Sequence, residues 1–129
     1  MGLEIEDRDN KGKAGIKLEK GESLGEVAAA GGLTLEELKN LKYEEGPITK
    51  PSGQHGGYYQ KFEGSKGGKS VTAIRNNIID NESKIVRYDV TYDGKRLEGY
   101  GESMGMFKAL ASAYYGRNRY YAIASGETA

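Results

Sequence analysis

Histidine occurs once in the chain, as His55, within the glycine-rich run Ser52-Gly53-Gln54-His55-Gly56-Gly57, with Tyr58 and Lys61 close behind. Imidazole exchanges its proton nearest neutral pH, and glycines let backbone approach a substrate closely. Such a base can accept the proton of a ribose 2′-hydroxyl while a lysine or arginine stabilises charge building on the phosphate. Lys61, Arg87, Arg117 and Arg119 are the electrostatic candidates, and Tyr58 or Tyr88 the stacking or proton-donating ones. On this reading His55, Lys61, Arg87 and Tyr88 form the catalytic set of a metal-independent nuclease, with Arg117 and Arg119 on the substrate. The same residues also suit an exposed loop histidine with no role.

Other chemistries have less to work with. Glu98 with Glu102, or Asp89 with Glu98, are the carboxylate pairs that a hairpin could bring together for glycoside cleavage. Gly68-Lys69-Ser70 resembles the end of a phosphate loop, but the opening glycine would have to stand at Glu63, and Gly64 comes one residue too late. The absence of cysteine excludes disulfides, thiol catalysis and every cysteine-ligated zinc site. Nothing in the pattern calls for a cofactor or a metal.

Charge is divided along the chain. The formal total is zero, yet 11 acids face 7 bases through Glu45, and 8 face 12 from Gly46 onward. Nine of the ten tyrosines also lie in that basic second part. Bases interleaved with aromatics suit phosphate contact and base stacking, so nucleic acid is a candidate partner. No apolar run approaches the roughly 20 residues that span a bilayer, and the charged start (Glu4, Glu6, Asp7, Arg8, Asp9) does not read as a signal peptide, so no membrane partner is expected.

These residues need elements to hold them. Residues 1–15 are polar and aperiodic and read as a flexible tail. Ile16 and Leu18 alternate with charges as a short strand. Ser23 stands three residues before Glu26, and Thr34 three before Glu37, which gives two capping boxes and two short helices, at 24–30 and 35–42. Gly31-Gly32 ends the first, and Leu35, Leu38 and Leu41 line one face of the second against Leu24 and Val27. Residues 46–68 read as loop with a possible strand at 58–62. The spacing of Val71, Ile74 and Ile78 favours a helix over 70–79, although the β-branched content also suits a strand. Residues 84–92 alternate as a strand, Asp93-Gly94 is a hairpin turn, and 96–101 returns antiparallel. A helix capped by Ser103 runs over 104–115, presents Met104, Phe107, Ala111 and Tyr114 to the sheet, and stops at Gly116. A last strand is expected at 119–124.

The run Lys20-Gly21-Glu22-Ser23-Leu24, with Val27-Ala28, Gly32, Leu38 and Leu41 at matching intervals, resembles the LysM family over about a fifth of the chain. Lys42 stands where that family usually has asparagine. The resemblance implies a strand and helix pair that bind N-acetylglucosamine polymers such as peptidoglycan, with Gly21, Glu22, Ser23 and Leu24 at the groove. The fold expected is therefore α+β: a LysM-like short strand plus helix pair at 16–54, then a small antiparallel sheet covered by one helix at 55–129.

Met1-Gly2-Leu3 followed by a polar stretch resembles the start of the C-terminal toxin region of Rhs-type polymorphic toxins, which are often nucleases. That resemblance implies a secreted bacterial effector delivered into a target cell, with nucleic acid as substrate and a cognate immunity protein as partner. The alternative reading is a non-enzymatic peptidoglycan-binding protein, and a third is an interaction domain without a small ligand.

Overall fold

The computed structural model describes residues 23–126. They run α1 (Leu24–Ala30), α2 (Leu35–Lys39), β1 (Lys42–Thr49), β2 (His55–Lys66), β3 (Lys69–Asp80), β4 (Ser83–Tyr92), β5 (Lys95–Arg96) and α3 (Tyr100–Ala124). Two compact units result: the described residues up to Lys39 with those from Ser112, and Asn40–Ala111.

In the first unit both capping boxes form. Ser23 Oγ accepts from the Glu26 backbone N–H at 3.1 Å while Glu26 Oε1 accepts from the Ser23 N–H at 2.6 Å. Thr34 and Glu37 exchange the same bonds at 3.0 and 2.9 Å. The first helix closes as a Schellman motif: Leu33 N–H bonds Ala28 O, Gly32 N–H bonds Ala29 O, and Gly32 takes a φ of +74°. α1 and α2 pack on each other, burying Leu24, Val27, Leu33 and Leu38. Leu35 stays exposed, and Leu41 is buried in the second unit beside Gly64, where an added Cβ would lie 3.2 Å from its Cδ1.

The expected order, a strand and helix pair of LysM type ahead of a separate sheet, is corrected. After the two helices, Lys42–Thr49 enters as the first strand of a five-stranded antiparallel meander, order β1-β2-β3-β4-β5, and a long helix follows. β1 pairs along β2 from Lys42↔Glu63 to Thr49↔His55, so it is not the closing strand of a module ending near residue 54. The strand expected at 16–19 and the tail at 1–15 lie outside the described residues.

Three further expectations change for physical reasons. The stretch 46–68, read as loop around a possible strand at 58–62, holds the end of β1 and the whole of β2, and its glycines allow the close approach the sheet needs: Gly57 sits at φ +116°, and a Cβ would fall 1.9 Å from Asn77 O. Residues 70–79 are strand β3, not helix, since strands on both sides satisfy their backbone. Residues 119–124 continue α3 and form no strand. Gly116 does not end that helix but admits α1, as its Cβ would lie 2.8 Å from Val27 Cγ1. The return strand shrinks to Lys95–Arg96, and Ser103 lies buried inside α3 instead of capping it.

The second unit has its core on one sheet face. Tyr43, Phe62, Ala73 and Val90 stand side by side across four strands. Phe62, fully buried, meets Tyr43 at 4.8 Å and Phe107 of α3 at 5.3 Å between ring centroids, and Tyr88 meets Phe107 at 5.6 Å. Phe107 thus covers the sheet as expected, with Ser103 and Leu110 buried on the same stripe in place of Met104 and Ala111.

Both β3-β4 and β4-β5 turn in two residues with positive φ, Asn81 (49°) with Glu82 (72°) and Asp93 (55°) with Gly94 (79°). Such turns match strand twist and favour Asn-Gly or Asp-Gly, so Glu82 pays for a left-handed backbone that Gly94 takes freely. Glu82→Gly is expected to raise stability by about 1 kcal/mol, read as a higher urea midpoint with an unchanged slope.

Candidate binding face

Strand alternation distributes the sequence-derived candidates over different surfaces. His55 opens β2 and is exposed, six residues from Lys61, which is about 20 Å along a strand. Lys61 and Arg87 share the sheet face opposite α3, but β3 lies between them, a gap of about 10 Å. Tyr88 points the other way, buried between Phe107 and Tyr100. His55, Lys61, Arg87 and Tyr88 are therefore not brought together.

In the first unit, Arg117 Nη1 donates to Leu38 O at 3.1 Å and Lys39 O at 3.3 Å, and the guanidinium lies over Tyr114 (4.4 Å) and Tyr121 (5.7 Å). It ties down the carbonyl end of α2, where a cation is favoured. Arg119 is exposed on the same helix. Ser23 is spent on the cap and Leu24 on the core, and Gly21 and Glu22 lie outside the described residues.

The sheet face opposite α3 carries two internally matched polar clusters. Tyr59 donates its hydroxyl to Glu44, with its ring against Gly46, where a Cβ would come within 3.2 Å. Asp89 accepts from Asn76 Nδ2 and Arg96 Nη2, both at 2.9 Å. Glu44 and Asp89 lie three strand spacings apart, about 14 Å, which is too wide for paired carboxylates around a glycosidic bond. Among the described residues no group of three or more acidic or histidine side chains is placed to hold a metal ion.

The α3-side face is different beyond the end covered by Phe107. Glu45, Gln60, Arg75 and Tyr88 form the next row, and Pro47, Tyr58, Asn77 and Val86 the one after. Arg75 is half-buried, with its Nε buried and without a hydrogen-bond partner, and it forms no ion pair among the described residues. Its guanidinium lies 5.9 Å from the centroid of Tyr88, which in turn meets Tyr100 edge-on at 5.6 Å. Tyr58 and Tyr100 are 50% and 60% exposed. Gln60 Nε2 reaches the Tyr43 hydroxyl at 3.3 Å, and that hydroxyl donates to Glu45 at 2.6 Å. A half-buried cation without a counter-charge, flanked by open aromatic rings, is a site for an anionic ligand with flat groups.

Sequence reasoning missed Arg75, Gln60 and Tyr100. The signal was the alternation Val71, Ala73, Arg75, Asn77, hidden by the competing helical spacing of Val71, Ile74 and Ile78. Compared with protein-family models, curated proteins and solved structures, the chain matches none.

On the opposite face, hydrogen bonding to Glu44, then burial, then the Glu44 charge raise the Tyr59 pKa above its usual value. The neutral phenol is the favoured form, so the contribution of this pair to stability is complete below about pH 10 and is lost as pH rises through the folded-state pKa. Spectrophotometric titration of phenolate absorbance should show one tyrosine ionising late, and Glu44→Gln should return it toward the ordinary range.

Proposed function

We propose that the open half of the α3-side sheet face binds single-stranded nucleic acid. Arg75 takes a backbone phosphate, and Tyr58 and Tyr100 offer their rings to neighbouring bases. The observation that carries this reading is the half-buried Arg75, whose Nε–H has no hydrogen-bond partner, on the same face as the exposed Tyr58 and Tyr100. Phosphate contact supplies affinity, while stacking holds bases of any sequence because every base has a π-face. The side-chain amides of Gln60 and Asn77 occupy the same two rows, where base edges would fall.

The reading is one of binding. The candidate base, His55, stands about 20 Å along the strand from Lys61 and about 16 Å from Arg87 by strand register, beyond the reach of a shared proton transfer. In a protein delivered into a recipient cell, this face would meet nucleic acid there. It would also be the surface an immunity protein has to cover.

Fluorescence anisotropy with a labelled single-stranded oligonucleotide tests the proposal. Binding should weaken as salt rises, with a shallow log–log slope of about −1 for one to two phosphates. Tyr58→Ala and Tyr100→Ala should each weaken it about fivefold to a hundredfold, as one lost base stack does, and Arg75→Ala should flatten the salt dependence. His55→Ala should bind like wild type and leave the oligonucleotide as intact as wild type does. No binding at low salt, or Arg75→Ala binding like wild type, would refute the proposal.

A further inference from the structure

The two edges of the sheet are built differently. β1 carries Pro47, which has no N–H to offer, an irregular register between Pro47 and Thr49, and Glu44 and Glu45 side by side. These are devices that discourage a further strand from pairing. β4 is covered by β5 only at Thr91 and Tyr92, with one more bond from Leu97 N–H to Val90 O at 2.9 Å. That bond places Val90 O on the outer side, while Asp93 N–H bonds Ser70 O of β3 at 2.8 Å. By the two-residue period of an antiparallel ladder, the N–H and C=O groups of Lys84, Val86 and Tyr88 all face outward. No proline or bulge guards this stretch, and the charges it carries, Lys84 and Arg87, are both basic.

Its side chains specify a partner. Ile85 and Val86 are 45% and 36% exposed, on opposite faces of the sheet. Lys84 and Arg87 flank them, also on opposite faces, and neither forms an ion pair among the described residues. A second copy pairing through its own β4 about Val86 would set Ile85 opposite Arg87 and Lys84 opposite Tyr88, matching no charge. An antiparallel strand reading acidic, apolar, apolar, acidic would instead set a carboxylate opposite Arg87 and another opposite Lys84, with apolar side chains opposite Val86 and Ile85.

We infer that the outer edge of β4, from Lys84 to Tyr88, accepts an extended acidic segment of a partner protein as an added strand. Backbone bonds to Lys84, Val86 and Tyr88 supply affinity, and the charges at Lys84 and Arg87 supply register. This inference rests on backbone direction and edge charge and does not depend on the nucleic-acid reading.

The test uses the full chain and two labelled peptides, with Glu-Val-Ile-Glu or Lys-Val-Ile-Lys as core between threonines, measured by anisotropy. The acidic peptide should bind more tightly by about tenfold or more, since like charges set opposite one another are strongly disfavoured. K84E/R87E should reverse that order while keeping the wild-type far-UV circular dichroism. Val86→Pro, which takes an outward N–H from the edge and none of the N–H groups that bond β3, should abolish binding of the acidic peptide. Absence of binding by the acidic peptide, an order unchanged in K84E/R87E, or a dimer in sedimentation that Val86→Pro dissolves would each overturn the inference.

Discussion

The contact between Phe62 and Phe107 decides which sheet face is closed, and the functional reading follows from that choice. Side chains alternate along a strand, so seating Phe62 under α3 commits every second residue of β2, β3 and β4 to the same side. Arg75, Tyr58 and Gln60 come to that side because they lie at even offsets from the buried row. Lys61, Arg87, Asp89 and Tyr59 are sent to the other. A one-residue slip of β3 would bury Ile74 and expose Ala73, and it would also remove Arg75 from the tyrosines.

The covering helix begins over Tyr88 and reaches Phe62 by Phe107, leaving the Tyr58 end of the same face open. A sheet with one wet face needs no partner there. Arg75 is what makes the uncovered half unlike ordinary surface, because the matched clusters on the opposite face, Glu44 with Tyr59 and Asp89 with Asn76 and Arg96, satisfy their polar groups internally. The same economy separates the two edges, one blunted by Pro47 and the other left with its ladder groups outward.

Features set by a few adjacent residues are legible in the sequence. The capping boxes at Ser23 and Thr34, the Gly32 stop, the alternation of β4 and the Asp93-Gly94 turn each depend on a few adjacent residues, and all of them form. What failed depended on distant partners. Gly56, Gly57 and Gly64 look like loop until Ile48, Asn77 and Leu41 are seen to need the space. Val71, Ile74 and Ile78 fit a helix until flanking strands take up the backbone. Gly116 and the tyrosines after it look like a stop and a strand, whereas Tyr114, Arg117 and Tyr121 at i, i+3 and i+7 stack as a helix requires. The two capped helices of the LysM-like run form, but the strand after them enters a five-stranded meander instead of closing a small module. The catalytic set rests on residue types alone, whereas strand geometry turns Tyr88 to the α3 side and leaves Lys61 and Arg87 on the other face with β3 between them.

The most direct test is to map, by two-dimensional amide and arginine side-chain NMR, where a single-stranded oligonucleotide perturbs the protein. Shifts confined to Tyr58, Gln60, Arg75, Asn77 and Tyr100, with the Arg75 Nε–H signal moving most, would support the binding face described above. Shifts centred on Lys61, Arg87 and Asp89 would contradict it, because those residues belong to the face that the Phe62 contact turns away.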